Sequence, residues 1–168
     1  DVILAIPLAG FLLILLLPRD RPGVARWTAL AVSLLAFVIS LGLAFPVWQW
    51  GDARQFVARV EWIRSPQIHY HVGADGLSVW LVILSTLLTP VAVLVSWRYI
   101  DRRVKEFYGL LLLLEFGLVG VFVALDLFLF YVFWEVSLVP MYFLIGIWGH
   151  ERRIYAAVKF FLYTMAGS

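Results

Sequence analysis

The chain has 168 residues, of which 64% are hydrophobic and 14% charged, with a formal net charge of +2. Water-soluble domains sit near half apolar and a quarter charged, so this is the composition of an integral membrane protein. There is no cysteine, which excludes disulfides, thiolate metal sites and cysteine-ligated iron–sulfur clusters.

In chain order, Val2–Leu17 is a first apolar run. Its basic residues Arg19, Arg21 and Arg26 follow the core instead of preceding it, which excludes a signal peptide. Trp27–Trp48 is a second span with Trp27, Trp48 and Trp50 as interfacial anchors, and Leu77–Tyr99 a third, closed by Trp97 and Tyr99. Tyr108–Leu125 and Leu127–Trp148 are the fourth and fifth, and Ala156 starts a sixth. That sixth run has thirteen residues where a spanning helix needs about 20, and the chain opens on Asp1, so the sequence reads as a fragment of a longer polytopic protein. Between spans two and three, Phe56, Ala58, Val60 and Trp62 alternate with Val57, Arg59, Glu61 and Ile63. Ile68, Tyr70 and Val72 alternate with Gln67, His69 and His71 beyond a Ser65-Pro66 turn. That period of two predicts a small β-hairpin, outside the membrane because an open sheet edge cannot face lipid.

The predicted fold is an all-α polytopic membrane protein. It has five full transmembrane helices, the start of a sixth, and a short extramembrane β-hairpin between helices two and three. The chain divides into 1–48 with helices one and two, 49–76 as the loop with the hairpin, 77–99 as helix three, and 108–168 as helices four, five and part of six. Nine basic residues lie in the odd-numbered loops, three in the hairpin loop and none between spans four and five. The excess of Lys and Arg marks the cytoplasmic side, so the N-terminus and the hairpin are predicted periplasmic.

Four ionisable residues fall in or beside the spans. Glu135 lies eight residues after Leu127, roughly 12 Å from that helix end, too deep for its short side chain to reach water. Carboxylates at such depth mark proton relays or partners of buried cations; the alternative is a structural acid that holds helices together. A carboxyl balanced between desolvation and a basic partner can take and release a proton near neutral pH. Pro140 removes the N–H due to the Val136 carbonyl, one residue from Glu135, and Tyr142 falls on the face of Glu135. Glu115 is also near mid-depth, beside Gly117 and Gly120, which permit close helix approach. Asp126 is predicted to cap the fifth helix. Lys159 either snorkels or points toward a proton path. His69 and His71 share a strand face, which reads as solvated, and His150 as a loop histidine; no metal site is predicted. No Gly-rich phosphate loop, dinucleotide fingerprint or Ser/His/Asp arrangement is present, so no cofactor is expected in this chain, and nothing points to nucleic acid.

The run Asp126-Leu-Phe-Leu-Phe-Tyr-Val-Phe-Trp-Glu135-Val-Ser-Leu-Val-Pro-Met-Tyr-Phe-Leu-Ile-Gly-Ile-Trp-Gly-His150 resembles the fifth-helix motif of the chain M family of NADH-quinone oxidoreductases, counterpart of chain 4 of mitochondrial complex I. His71-Val-Gly-Ala-Asp75-Gly-Leu-Ser78 resembles the segment leading into that family's third helix, and Lys159 to Ser168 the opening of its sixth. The resemblance implies a proton-pumping subunit whose inverted-repeat core begins at helix four, within 108–168. It implies that Glu135 and Glu115 are the fifth- and fourth-helix glutamates of proton translocation. It also implies neighbouring membrane-arm subunits as partners, with NADH, FMN, iron–sulfur clusters and quinone in other subunits, and a location in the cell inner (plasma) membrane. The rival readings are a subunit of a multisubunit sodium/proton antiporter, a subunit of a membrane-bound hydrogenase, and a purely structural bundle.

Overall fold

A computed structural model describes residues 2–18, 21–50, 55–63 and 68–168. The Ser65-Pro66 turn, and Arg19, Arg54 and Arg64 of the charge count, lie outside the described residues, as do the side chains of Trp48, Trp50, Arg59 and His69. The described chain is mostly helical: α1 (Val2–Leu16), α2 (Pro22–Trp50), two strands β1 (Gln55–Ile63) and β2 (Ile68–Ala74), then α3 (Gly76–Ser96), α4 (Val104–Val123), α5 (Leu127–Trp148) and α6 (Arg153–Gly167).

Four of these helices, α2 to α5, are long and apolar enough to cross a membrane. Of the five full spans expected, these four reach spanning length; α1 is described over 15 apolar residues, which rise about 22 Å. Two boundaries also move. Helix α2 starts at Pro22, five residues before the expected Trp27, where the missing N–H of proline costs nothing. Helix α4 starts at Val104, four residues before the apolar run, because its first turn of Val104, Lys105 and Glu106 lies at the rim.

Helix α4 is central and packs against α1, α2, α3 and α5. Two apolar clusters sit along it. One, near the strands, gathers Ile3, Leu4, Val72, Val82, Val119, Val123, Leu129 and Phe133. The other, at the opposite end, gathers Ile14, Ala29, Val93, Val104, Tyr108 and Leu112. The α4–α5 contact is closest at Gly117 and Gly120. A Cβ on Gly117 would lie 2.9 Å from Cβ and 3.0 Å from Cα and N of Ser137, and one on Gly120 would enter the Phe133 ring.

The strands pair antiparallel, with Ala58 opposite Val72 and Val60 opposite Tyr70. Strand β2 is tied to the turn between α4 and α5: the Leu125 N–H donates to the His71 carbonyl at 2.8 Å, and Val72 bridges to Ala124. At this end both helix starts are capped by acids. Asp75 and Ser78 form a reciprocal capping box on α3, and the Asp126 carboxylate accepts from Phe128 N at 2.9 Å and Leu129 N at 3.3 Å. Burial against the bundle raises the Tyr70 phenol above its ordinary pKa, which keeps it neutral.

At the opposite end, basic side chains satisfy orphan carbonyls. Lys105 on α4 donates to Leu15 O at 2.7 Å and Leu17 O at 2.6 Å, closing the C-terminus of α1. Arg26 Nη2 donates to Ile100 O at 2.8 Å, Arg153 Nη1 to Ile147 O at 2.9 Å, and the Trp148 indole to Arg102 O at 2.8 Å.

Because the atoms nearest a Gly117 Cβ include Ser137 backbone, Gly117→Ala must push α4 and α5 apart. The expected cost is about 1–3 kcal/mol, read as a lowered unfolding midpoint of the full-length protein in detergent. Gly120→Ala, which meets only a side chain, is expected to recover when paired with Phe133→Leu.

Candidate functional site

Glu115 lies between the two apolar clusters, one turn from Leu112 and from Val119. It is 1% exposed, and among the described residues no hydrogen bond of good geometry reaches either carboxyl oxygen. The other buried polar side chains of the bundle are satisfied. Ser33, Thr86, Thr89 and Ser137 donate to carbonyls of their own helices, and Ser40 Oγ meets Thr86 Oγ1 at 2.7 Å across the α2–α3 contact. Thr89 of α3 is the hydroxyl close enough to interact with the Glu115 carboxyl; it also donates to Ser85 O at 3.1 Å, and among the described residues no other group reaches either carboxyl oxygen. An unpaired ionised carboxylate in such surroundings costs several kcal/mol, so this arrangement is not one selected for stability.

Glu135, the acid given most weight by the sequence, is the less enclosed of the two. It is half-buried on α5, and its Oε1 accepts from the Ser168 hydroxyl of α6 at 3.2 Å. Tyr131, one turn earlier on the same helix, is close enough to interact with it. The α4–α5 contacts set the relative depth of the two acids. Gly117 lies against Ser137, and the helices run antiparallel through a tight turn, so Glu135 is two residues toward the turn and Glu115 two residues away from it. At 1.5 Å per residue the two differ in depth by roughly 6 Å, with Ser137 at the level between.

Pro140 is fully buried inside α5 and leaves the Val136 carbonyl without its helical donor. Pro90 does the same on α3 for Thr86, beside Thr89. Tyr142 packs its ring on Phe161 of α6 with centroids 5.5 Å apart, and no hydrogen bond joins it to Glu135 among the described residues. Asp126 is occupied as the α5 cap. Lys159 stands on the exposed face of α6 over the Tyr155 ring at 5.7 Å. Gly146 faces Ala157 across the α5–α6 contact, so Lys159 sits near the level of residue 144, roughly 14 Å along the axis from Glu135. The structure places Glu115 and Glu135 at nearby depths but on different sides of the α4–α5 contact, Glu115 beside Thr89 of α3 and Glu135 against Ser168 at the end of α6, and it leaves Tyr142, Asp126 and Lys159 apart from both. Thr89 and Ser137 were missed by the sequence reading; their only signal is a hydroxyl in an apolar span. Among the described residues no group of three or more His, Asp or Glu side chains is placed to hold a metal.

Residues 124–168 match the family described as NADH:quinone oxidoreductase/Mrp antiporter, TM. Over its whole length the chain is 42% identical to NADH-quinone oxidoreductase subunit M of Rhodobacter capsulatus, covering 33% of that protein. Its relatives are subunit M and chain 4 of quinone oxidoreductases. NADH-ubiquinone oxidoreductase chain 4 of Arabidopsis thaliana is 40% identical over 96% of this chain and 33% of its own length. Among solved structures, a chain of respiratory complex I from Thermus thermophilus with bound NADH superposes with a TM-score of 0.82. It is 30% identical over 98% of this chain and 32% of that one. The chain therefore spans about a third of the length of the subunit M and chain 4 relatives it matches.

An acid that does not hold the bundle together can be removed without loss of stability. Glu115→Met in the full-length protein is expected to unfold in detergent at the same midpoint as the parent or above it, by up to about 2 kcal/mol. A drop of more than about 1 kcal/mol would assign the carboxyl to helix adhesion instead.

Proposed function

We propose that the chain is part of a proton-translocating, membrane-arm subunit of a respiratory NADH:quinone oxidoreductase, and that Glu135 and Glu115 carry protons within it. The observation that carries this reading is the pair itself. One carboxyl is buried mid-helix on α4 with no hydrogen bond meeting either oxygen among the described residues, and a second lies on the neighbouring helix α5 at a nearby depth. Buried acids in spanning helices face proton or ion paths far more often than they serve as glue.

In this mechanism Glu135 alternates between an ion-paired and a proton-bearing state as a neighbouring subunit changes its conformation or charge. Glu115 shares or passes on the proton. The two acids differ in depth by roughly 6 Å and face different neighbours, so passage of a proton between them runs through intervening hydroxyls or waters. Freed carbonyls at Val136 and Thr86 supply acceptors for such a bridge. Redox chemistry belongs to other subunits, which hold NADH, FMN, iron–sulfur clusters and quinone; this chain supplies the proton path. The excess of Arg and Lys at the end holding Arg26, Arg102 and Lys105 supports a cytoplasmic position for that end. The N-terminus and the strands then face the periplasm, in a plasma membrane. The names of the relatives favour the oxidoreductase over a sodium/proton antiporter or a hydrogenase.

Glu135→Gln is expected to leave the complex assembled and to abolish most NADH-driven proton uptake into reconstituted vesicles, with coupled quinone reduction falling in parallel. Glu115→Gln is expected to lower it less, because the neighbouring acid can take over. Full pumping by the Glu135→Gln complex would remove the role, and sodium-driven transport with no dependence on NADH would turn the reading toward the antiporter.

A further inference from the structure

The end of the bundle rich in Arg and Lys holds a pocket of about 520 Å³ that the proton path does not use. Its wall includes Arg102 and Arg103 from the α3–α4 loop, Arg153 from the first turn of α6, and the last turn of α5 with Trp148. Tyr99 and Asp101 complete it. An excess of basic residues on one side of a membrane protein is ordinary. Three arginines lining one cavity, two from the α3–α4 loop and one from the start of α6, go further.

The acids nearby take up only part of these arginines' donors. The Asp101 carboxylate is turned to Arg26 at 3.8 Å, and Glu106 meets Arg103 Nε only at 3.7 Å, with the Arg103 side chain 58% exposed. Arg153 spends one N–H on Ile147 O and keeps the rest of its five donors. Arg102 contributes its backbone carbonyl to Trp148, and its guanidinium has no partner among the described residues. Arg103 is also the one non-glycine residue at positive φ among the described residues, at 52°, in the position that starts α4. Helices α4 and α6 both begin at this pocket, and neither is capped by its own N-cap side chain, in contrast to the acid-capped α3 and α5. The positive end of a helix adds to the attraction for an anion.

We propose that this pocket binds the phosphate group of an anionic phospholipid, clamped by Arg102, Arg103 and Arg153. Two observations favour a lipid over free phosphate. The pocket lies at the end of a spanning helix beside Trp148 and Tyr99, the residue types that sit at headgroup level. One wall is the apolar last turn of α5, against which an acyl chain can lie while the headgroup meets the arginines. Basic pockets between helix ends are the usual form of such sites.

The test uses the full-length subunit in its complex, purified in detergent, stripped of lipid, and titrated with phosphatidylglycerol or phosphatidylcholine. Phosphatidylglycerol is expected to bind in preference. Arg102→Gln with Arg103→Gln is expected to weaken it about tenfold, while Lys159→Gln, an equally exposed cation outside the pocket, leaves it unchanged. If the double Gln variant does not assemble, Arg102→Lys with Arg103→Lys takes its place. It keeps the charge but loses the planar fork, and a several-fold weakening is expected. Equal binding of the two lipids, or an unchanged affinity in the arginine variant, overturns the site. Displacement of phosphatidylglycerol by millimolar inorganic phosphate overturns the lipid and assigns the pocket to a soluble anion. The readout is lipid retention, so it stands apart from whether the complex pumps protons.

Discussion

Inside a bilayer there is no water to accept an unmet hydrogen bond, so each polar group must find a partner within the protein or be kept for another reason. The arrangement of this bundle follows from that constraint. Hydroxyls in the spans turn back to their own helix carbonyls, and Ser40 and Thr86 satisfy each other across a helix contact. Helix starts near the strands take acidic caps, and carbonyl ends on the other side take Lys105, Arg26 and Arg153. Among the described residues, the buried side-chain atoms left outside this pattern are the two oxygens of Glu115, deep in the bundle, and the Nε of Arg26, near its end.

The enclosure of Glu115 depends on packing. Glu115 is sealed because α4 is surrounded by α1, α2, α3 and α5, and because Gly117 and Gly120 allow α5 to approach to backbone contact. The same glycines set the register that puts Ser137 at the level between the two acids. A larger residue at either position would widen the contact, admit lipid or water, and change the depth relation of Glu115 and Glu135 together. The helix contact and the relative depth of the two acids rest on the same few atoms.

That the chain is helical and built for lipid was legible from composition, and α5 was legible to the residue. Asp126 before it is a cap, and Gly149 after it ends the apolar run at Trp148. Helix α4 was placed late because a rim turn with Lys105 and Glu106 looks like loop when hydropathy alone is followed. The relative enclosure of the two glutamates was not legible. Depth along a helix follows from counting residues, but the direction a side chain faces depends on neighbours far away in sequence, and the α5 pattern is apolar on all sides. Thr89 was missed for the same reason: nothing local joins it to Glu115 on the next helix. The ties of Lys105 to α1, of Arg26 to Ile100 and of His71 to Leu125 are likewise long-range.

The hold of Lys105 on the last carbonyls of α1 bears on how the protein is made. The two partners are 88 and 90 residues apart, so α1 leaves the ribosome well before the lysine that anchors it exists. Until the fourth helix arrives, the last carbonyls of α1 must therefore be met by water or by the insertion machinery, and the tie between the two helices closes only after Lys105 has emerged.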